Sequence, residues 1–407
     1  MICREGNMKT KLNLILTIAI ISLFAVNCTK TKIAEKAKWR GEIEDENGVK
    51  VVKNPGEPLY GEILLDLEGD LSIGREDDDN YVFYRVRNID VDDQGNICVL
   101  EGGNCRLQKF DRTGQYLQTI GKKGQGPGEF ESPSRLLLDK ENNIYISERR
   151  KRKIHMFNSK GEFVKSILLS NTTTSFSIDP DESIFGIANI RTEEESNRCI
   201  VKMDPKGKII KNIAQFAALK PVQRKGSGNT FTTFSISHQY NPALYFSRAF
   251  NNKYLYAHSS EYSLFQVNLE GDLELIIKKE EPQHLISQKE KNKIYERFSD
   301  LEERWSKGVV KEAVQWPSHR PYFNGIATDD RGRIYVRRVK SVIDESEEVE
   351  FDIFSKEGYY LYKTNLPFTP TVIKNGYFYE YYSSEETGEV KIKRYKAKNW
   401  EQITEGI

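Results

Sequence analysis

Residues 91–120 (VDDQGNICVLEGGNCRLQKFDRTGQYLQTI) align without a gap to residues 138–167 (LDKENNIYISERRKRKIHMFNSKGEFVKSI), and this repeat constrains the chain more than any other feature. Gly114 falls on Gly161, 47 positions on, and Gly207 follows after 46 more. Fainter copies carry Asp204 to Gly207, Asn268 to Gly271 and Ser355 to Gly358. Asp329-Asp330-Arg331-Gly332 restates Asp92-Asp93-Gln94-Gly95 ahead of a strand at Ile334 to Val336, and a last copy runs from Val372 to Tyr395.

Each copy reads as four short strands: alternating apolar stretches punctuated by Asp, Asn and Gly turns. Tyr (21) and Phe (20) are abundant and Met (4) is scarce, which also favours strands. Four strands repeating in the mid-forties describe a propeller blade. Blades are expected to begin near residues 87, 134, 176, 243, 324 and 370, which makes six. A ring hides the strand edges that separate sheets would expose. The segment Leu65 to Leu71 echoes Asn268 to Leu273, so residues 59–73 are expected to complete the last blade and close the ring. The fold class predicted is all-β: a six-bladed β-propeller over residues 55–407 with a helical insertion between blades 4 and 5.

That insertion covers about residues 283–320. Ser287 and Glu290 form a capping-box signature, and Ile294, Phe298, Leu301 and Trp305 recur at helical spacing, with Gly308 as the stop. The apolar stripe is expected to pack on the propeller.

The stretch Gly121-Lys122-Lys123-Gly124-Gln125-Gly126-Pro127-Gly128-Glu129-Phe130, followed by Pro133, resembles the bacterial six-bladed β-propeller lipoproteins with NHL-like repeats. The resemblance spans about residues 55–400 and is most specific at 87–165. It implies fold and location more than activity. Its glycines do not make a phosphate loop: no Gly-Lys-Ser/Thr ending follows, and a strand comes next where a helix N-terminus is needed.

Location is written in the first 28 residues. Lys9 and Lys11 precede an uncharged run of 15 residues, Leu12 to Val26, the length of a signal-peptide core and short of a membrane span. The run ends in Leu23-Phe24-Ala25-Val26-Asn27-Cys28, similar to a lipoprotein lipobox, with Ala25 where Leu is usual and Asn27 where Gly, Ala or Ser is usual. The resemblance implies lipidation at Cys28 after removal of residues 1–27, and a membrane contact through that anchor. Residues 28–54, polar and rich in Lys and Glu, are expected to be a flexible tether. The expected address is a bacterial cell envelope, at the outer membrane or facing the periplasm, since no Asp follows Cys28.

Charge nearly cancels, 61 Lys+Arg against 60 Asp+Glu, which argues against a nucleic-acid partner. Cys98, Cys105 and Cys199 are expected to be buried free thiols. With Cys98 and Cys105 flanking a Glu101 to Asn104 loop, they would sit diagonally across a hairpin, about 7 Å apart and poorly placed for a disulfide.

In a propeller, turns joining strands one to two and three to four share one end, and here they are short throughout. The remaining connections share the other end and hold the length: 121–134, 189–198, 215–242, 280–323, 338–349 and 382–389. Long loops on one end of a rigid body mark a binding surface. Candidate contacts there are the basic tip Arg149, Arg150 and Arg152, the histidines His238 and His258, and Trp316, His319, Arg320 and Tyr322 around the mouth. A protein or glycan partner in the envelope is expected. Zinc-dependent lyases on similar propellers place histidines around the channel, and lactonase-like sites hold a divalent ion with carboxylates and an Asn. The histidine spacings here fit no ligand motif, no metal or other cofactor is assigned, and no Ser/His/Asp arrangement stands out. Binding or scaffolding is the function expected; a metal-dependent lyase or lactonase-type hydrolase at the channel is the alternative. Docking of an envelope complex through the helical insert is a third reading.

Overall fold

Six four-stranded antiparallel units follow one another around a channel in the computed structural model, which describes residues 38–407 apart from 193–194, 226–230, 306 and 385–386. The leader and Cys28 lie outside the described residues, as does the side chain of Trp305. Blade 1 runs Val86–Val91, Ile97–Glu101, Arg106–Phe110 and Tyr116–Ile120; blade 2 runs from Arg135–Leu138 to Phe163–Leu168. Blade 3 spans Thr172–Ile178 to Ile209–Ala217, blade 4 Leu244–Ala249 to Leu273–Lys279, and blade 5 Phe323–Thr328 to Tyr360–Leu366. Blade 6 takes three strands from the C-terminal part, Val372–Lys374, Tyr377–Ser383 and Val390–Ala397. Its outer strand, Leu67–Ile73, comes from the other end of the chain.

Turn chemistry sets each blade. Asp111 accepts the amides of Thr113 and Gln115 through Oδ1, at 2.8 and 2.9 Å, while Gly114 takes the left-handed conformation that ends the turn. The equivalent glycines of blades 2 to 5 each rest on the outer strand of the preceding blade. At Gly207, with φ of 80°, an added Cβ would lie 2.6 Å from the carbonyl oxygen of Leu168. The same contact recurs at Gly161 on Ile120, Gly271 on Ile213 and Gly358 on Ile277. The core is correspondingly a ring of inter-blade layers. Leu100, Leu107, Phe130 and Ile146 fill one between blades 1 and 2; Phe185, Ile200, Tyr254 and Val267 fill another between blades 3 and 4.

Four expectations need correction. The tether stops well before residue 54: Glu42–Glu46 and Val49–Asn54 form a hairpin, and its second strand pairs in parallel with Leu273–Lys279 of blade 4. Val51 and Val52 are fully buried, so the segment has an apolar face to hide. Of residues 59–73, only Leu67–Ile73 joins blade 6. Residues 59–63 run beside blade 5, with Leu59 N donating to Tyr360 O at 3.0 Å and Ile63 N to Lys363 O at 2.9 Å. The hairpin loop of blade 1 is 102–105, because Glu101 pairs with Arg106; Cys105 therefore sits in the turn and Cys98 faces Lys109. Cys98, Cys105 and Cys199 are free and buried, and burial pushes the Cys98 thiol up to about 12.

The fourth correction concerns the insert, which is three helices: α1 (Gln288–Glu296), α2 (Ser299–Trp305) and α3 (Lys307–Ala313). The capping box forms as expected, Ser287 Oγ accepting from Glu290 N at 3.3 Å and Glu290 Oε2 from Ser287 N at 2.9 Å. Gly308 lies inside α3 and stops nothing. The chain turns instead at Arg297, whose amide bonds back to Ile294 O. Tyr295, Phe298 and Leu301 pack with Val310, Val314 and Ile236, so the stripe faces inward onto the preceding long connection.

Candidate binding cleft, channel and blade network

The short turns do gather at one end of the ring: Lys140 Nζ of blade 2 reaches Asn252 Oδ1 of blade 4 at 2.7 Å, both from strand one-to-two turns. The long connections occupy the other end. There a cleft of about 580 Å³ opens between blades 3 and 4, with Arg149 reaching in from the blade 2 tip.

Its wall on blade 3 is a cross-strand row. Arg198 pairs with Asn189 on one side and Phe216 on the other. Arg191, two residues along from Asn189, is a diagonal neighbour of Arg198 about 7 Å away on the same sheet face. The opposite wall is His258 at the end of a blade 4 strand. Its ring stacks on Phe216 with centroids 4.7 Å apart and planes within 6°. Burial first, and then the charge of Arg198, hold the His258 imidazole below its ordinary pKa, which keeps it neutral; Nδ1 lies 2.7 Å from Ser260 Oγ. The cleft carries Arg149, Arg191, Arg198 and Lys220, and among the described residues no carboxylate lines it. Among the described residues none of the three arginines has an ion-pair partner.

Of the residues proposed from sequence, Arg149 and His258 line this cleft. Arg150 is exposed on the same short 3-10 turn, and Arg152 spends an Nη1 hydrogen on Ser170 O at 3.0 Å. His238 is a clamp: Nε2 lies 2.9 Å from Gln315 O and Nδ1 accepts from Tyr240 N, with Trp316 packed 4.5 Å away. Trp316 Nε1 donates to Tyr295 Oη at 3.0 Å. His319, Arg320 and Tyr322 sit apart, where the insert returns to blade 5. Arg320 approaches Glu290 at 3.8 Å and Tyr322 N donates to Ser259 O. Glu290 is a hub: burial opposes its charge, but hydrogen bonds from Ser341, Tyr240 and Ser287 outweigh burial and bring it to about 2. Sequence reasoning missed Arg191, Arg198 and Phe216. Their signal was alternation: Arg198 sits between buried Asn197 and buried Cys199, so its side chain must leave the core.

The channel is lined by the innermost strands of all six blades and encloses about 270 Å³. Inner strands leave backbone groups unpaired, and neighbouring side chains fill them: Asn88 Oδ1 accepts from Leu136 N at 3.0 Å and Asp90 Oδ2 from Leu138 N at 2.9 Å. Among the described residues no three His, Cys, Asp or Glu side chains form a metal-holding group. At the short-turn end, a cavity of about 550 Å³ sits on the ring-closure seam, where Asp70 is paired with Arg394 and Asp93 with Lys374, and Arg112 also lines it.

One network has the connectivity of a hydrolytic triad, which the sequence reading did not find. His155 Nε2 lies 3.0 Å from Glu148 Oε2, and its Nδ1 lies 3.1 Å from Ser166 Oγ. Glu148 Oε1 also accepts the amides of Glu131 and Ser132, at 2.7 and 2.8 Å. Blade 1 explains it. Subtracting the 47-residue repeat gives Glu101, Gln108 and Thr119, where Thr119 Oγ1 bonds to Gln108 and Glu101 accepts from Tyr84 N, the counterpart of Glu131. The arrangement is a staple between strands and the incoming loop, with Ser166 exposed on the outer strand of blade 2.

Comparison with known proteins agrees with the architecture. A Bacteroides fragilis protein described as a "Putative exported protein" is similar in structure, with TM-score 0.50 and 12% identity over 86% of this chain and 99% of its own. A DUF4221 family member from Bacteroides vulgatus gives TM-score 0.48 and 10% identity over 82% and 98%. Virginiamycin B lyase from Staphylococcus aureus gives 0.40 and 10% over 81% and 99%. At these identities the likeness is one of fold. No curated protein sequence matches the chain. Residues 76–406 match the family described as "Domain of unknown function (DUF4934)", and the chain belongs to that family.

Proposed function

We propose that this propeller is an exported, lipid-anchored binding module of a bacterial cell envelope, and that its long-loop end does the binding. The observation that carries the reading is the cleft between blades 3 and 4. It is built from three long connections, is large enough for a small ligand, and gathers Arg149, Arg191 and Arg198, which have no ion-pair partner among the described residues. The basic run ahead of Leu12 to Val26 and the lipobox-like ending at Cys28 support the address.

The test is sedimentation of residues 40–407, the compact unit without the lipid-anchoring Cys28, with isolated envelope fragments. Exchanging Arg149 and Arg191 for Glu is expected to abolish co-sedimentation, whereas exchanging Arg112 for Glu at the short-turn end leaves it intact. Equal loss from both ends would overturn the assignment of the face. Incorporation of labelled fatty acid into the wild type and not into Cys28→Ala checks the anchor.

A further inference from the structure

We infer that the cleft between blades 3 and 4 takes an acidic saccharide, a sugar bearing carboxylate or sulfate; this rests on the binding reading above. Arg191 and Arg198 project from one sheet face as diagonal neighbours, and among the described residues no carboxylate lines the cleft beside them. Like charges at such a spacing repel one another. An oxyanion relieves that repulsion and can be held by two guanidinium forks, which match its geometry as a lysine ammonium does not. Arg149, from a different blade, adds a third fork. The charge thus enters from separate segments around the opening, which suits a ligand with more than one anionic group.

The other half of the argument is what lies between the cations. Phe216 and His258 stack with near-parallel rings, and the imidazole is held neutral, so the platform is flat and uncharged. The apolar face of a sugar ring lies against such a surface while its hydroxyls reach polar groups. Ser196, Ser235 and Ser237 line the cleft with hydroxyls for that purpose. Inorganic phosphate alone would use the forks and leave the platform idle.

The experiment is calorimetric titration of the full chain with tetragalacturonate, its methyl ester, a sulfated tetrasaccharide and inorganic phosphate, at low and high salt. Binding of at least one acidic saccharide is expected, weakening with salt, with none to the ester. Arg198→Gln is expected to weaken it about tenfold, as the loss of one charge-assisted fork would. Arg149→Ala, on an exposed tip that tolerates truncation, is expected to weaken it several-fold. Equal affinity for the ester, phosphate bound as tightly as the saccharides, no binding of either saccharide, or full affinity in both variants would each overturn the inference. If envelope binding still fails in the Arg149 and Arg191 exchange, only the saccharide falls; if it survives there, the binding face falls with it.

Discussion

Asn54, the last residue of the N-terminal hairpin, holds blade 5 from across blade 4: its Oδ1 accepts from Tyr360 N at 2.8 Å and its Nδ2 donates to Gly358 O at 2.8 Å. Both bonds are buried. The hairpin is therefore part of the ring's wall, and removing its contacts has a measurable cost. Asn54→Ala strands a buried amide and is expected to lower unfolding free energy by about 1–3 kcal/mol in denaturant titration. A fragment starting at residue 55 is expected to be less stable than one starting at residue 40; equal midpoints would show the hairpin to be dispensable.

Gly207→Ala combines a left-handed backbone with a methyl group 2.6 Å from Leu168 O. The strained backbone alone costs about 1–2 kcal/mol and the clash adds to it. Gly61→Ala shares a positive φ, 74°, with nothing within 4 Å, and is expected to show the backbone cost alone. Thermal melts of the two variants separate conformational strain from inter-blade contact.

If Glu148, His155 and Ser166 are a staple, blade 1 already supplies its replacement. The double variant His155→Gln, Ser166→Thr copies Gln108 and Thr119. It is expected to fold with a melting temperature within a few degrees of wild type, and Ser166 is expected to stay unlabelled by fluorophosphonates. Labelling of Ser166 that disappears in His155→Gln would establish a nucleophile instead.

Acid stability follows from the same carboxylate. Glu148 is held at about 2, against an ordinary 4.5: burial opposes its charge, but bonds from His155, Ser132 and Glu131 outweigh it. A lowered folded-state value stabilises above the unfolded pKa and is lost as pH falls toward the folded one. The window is therefore between about pH 4.5 and pH 2, with an upper bound of about 3–4 kcal/mol for a shift of this size. Glu148→Gln is expected to flatten the stability profile across that window, read as denaturation midpoints against pH.

The blades were legible because their signal is repeated. Each Asp-x-x-Gly turn is a local hydrogen-bond solution, and a period near 47 admits few architectures. The N-terminal hairpin was equally legible: Asn47-Gly48 between Ile43 and Val51-Val52 is a strong two-residue turn signal, masked by the Lys and Glu around it. The cleft was not. Arg149, Arg191, Arg198 and His258 come from three blades, and nothing in their spacing announces that a ring brings them to one opening. The break between α1 and α2 was missed because periodicity reports which side is apolar and not where the chain bends.

Ring closure also sets an order in time. Asp70 and Arg394, paired across the seam of blade 6, are 324 positions apart in the chain. Contacts that distant form slowly, since the intervening loop must be brought together before any reward is gained. A nascent chain halted before residue 390 can build individual blades but holds Leu67–Ile73 without its partner, so the seam is the last part to set. Until it does, the polypeptide remains a string of separable sheets, a form that can still be threaded through a pore.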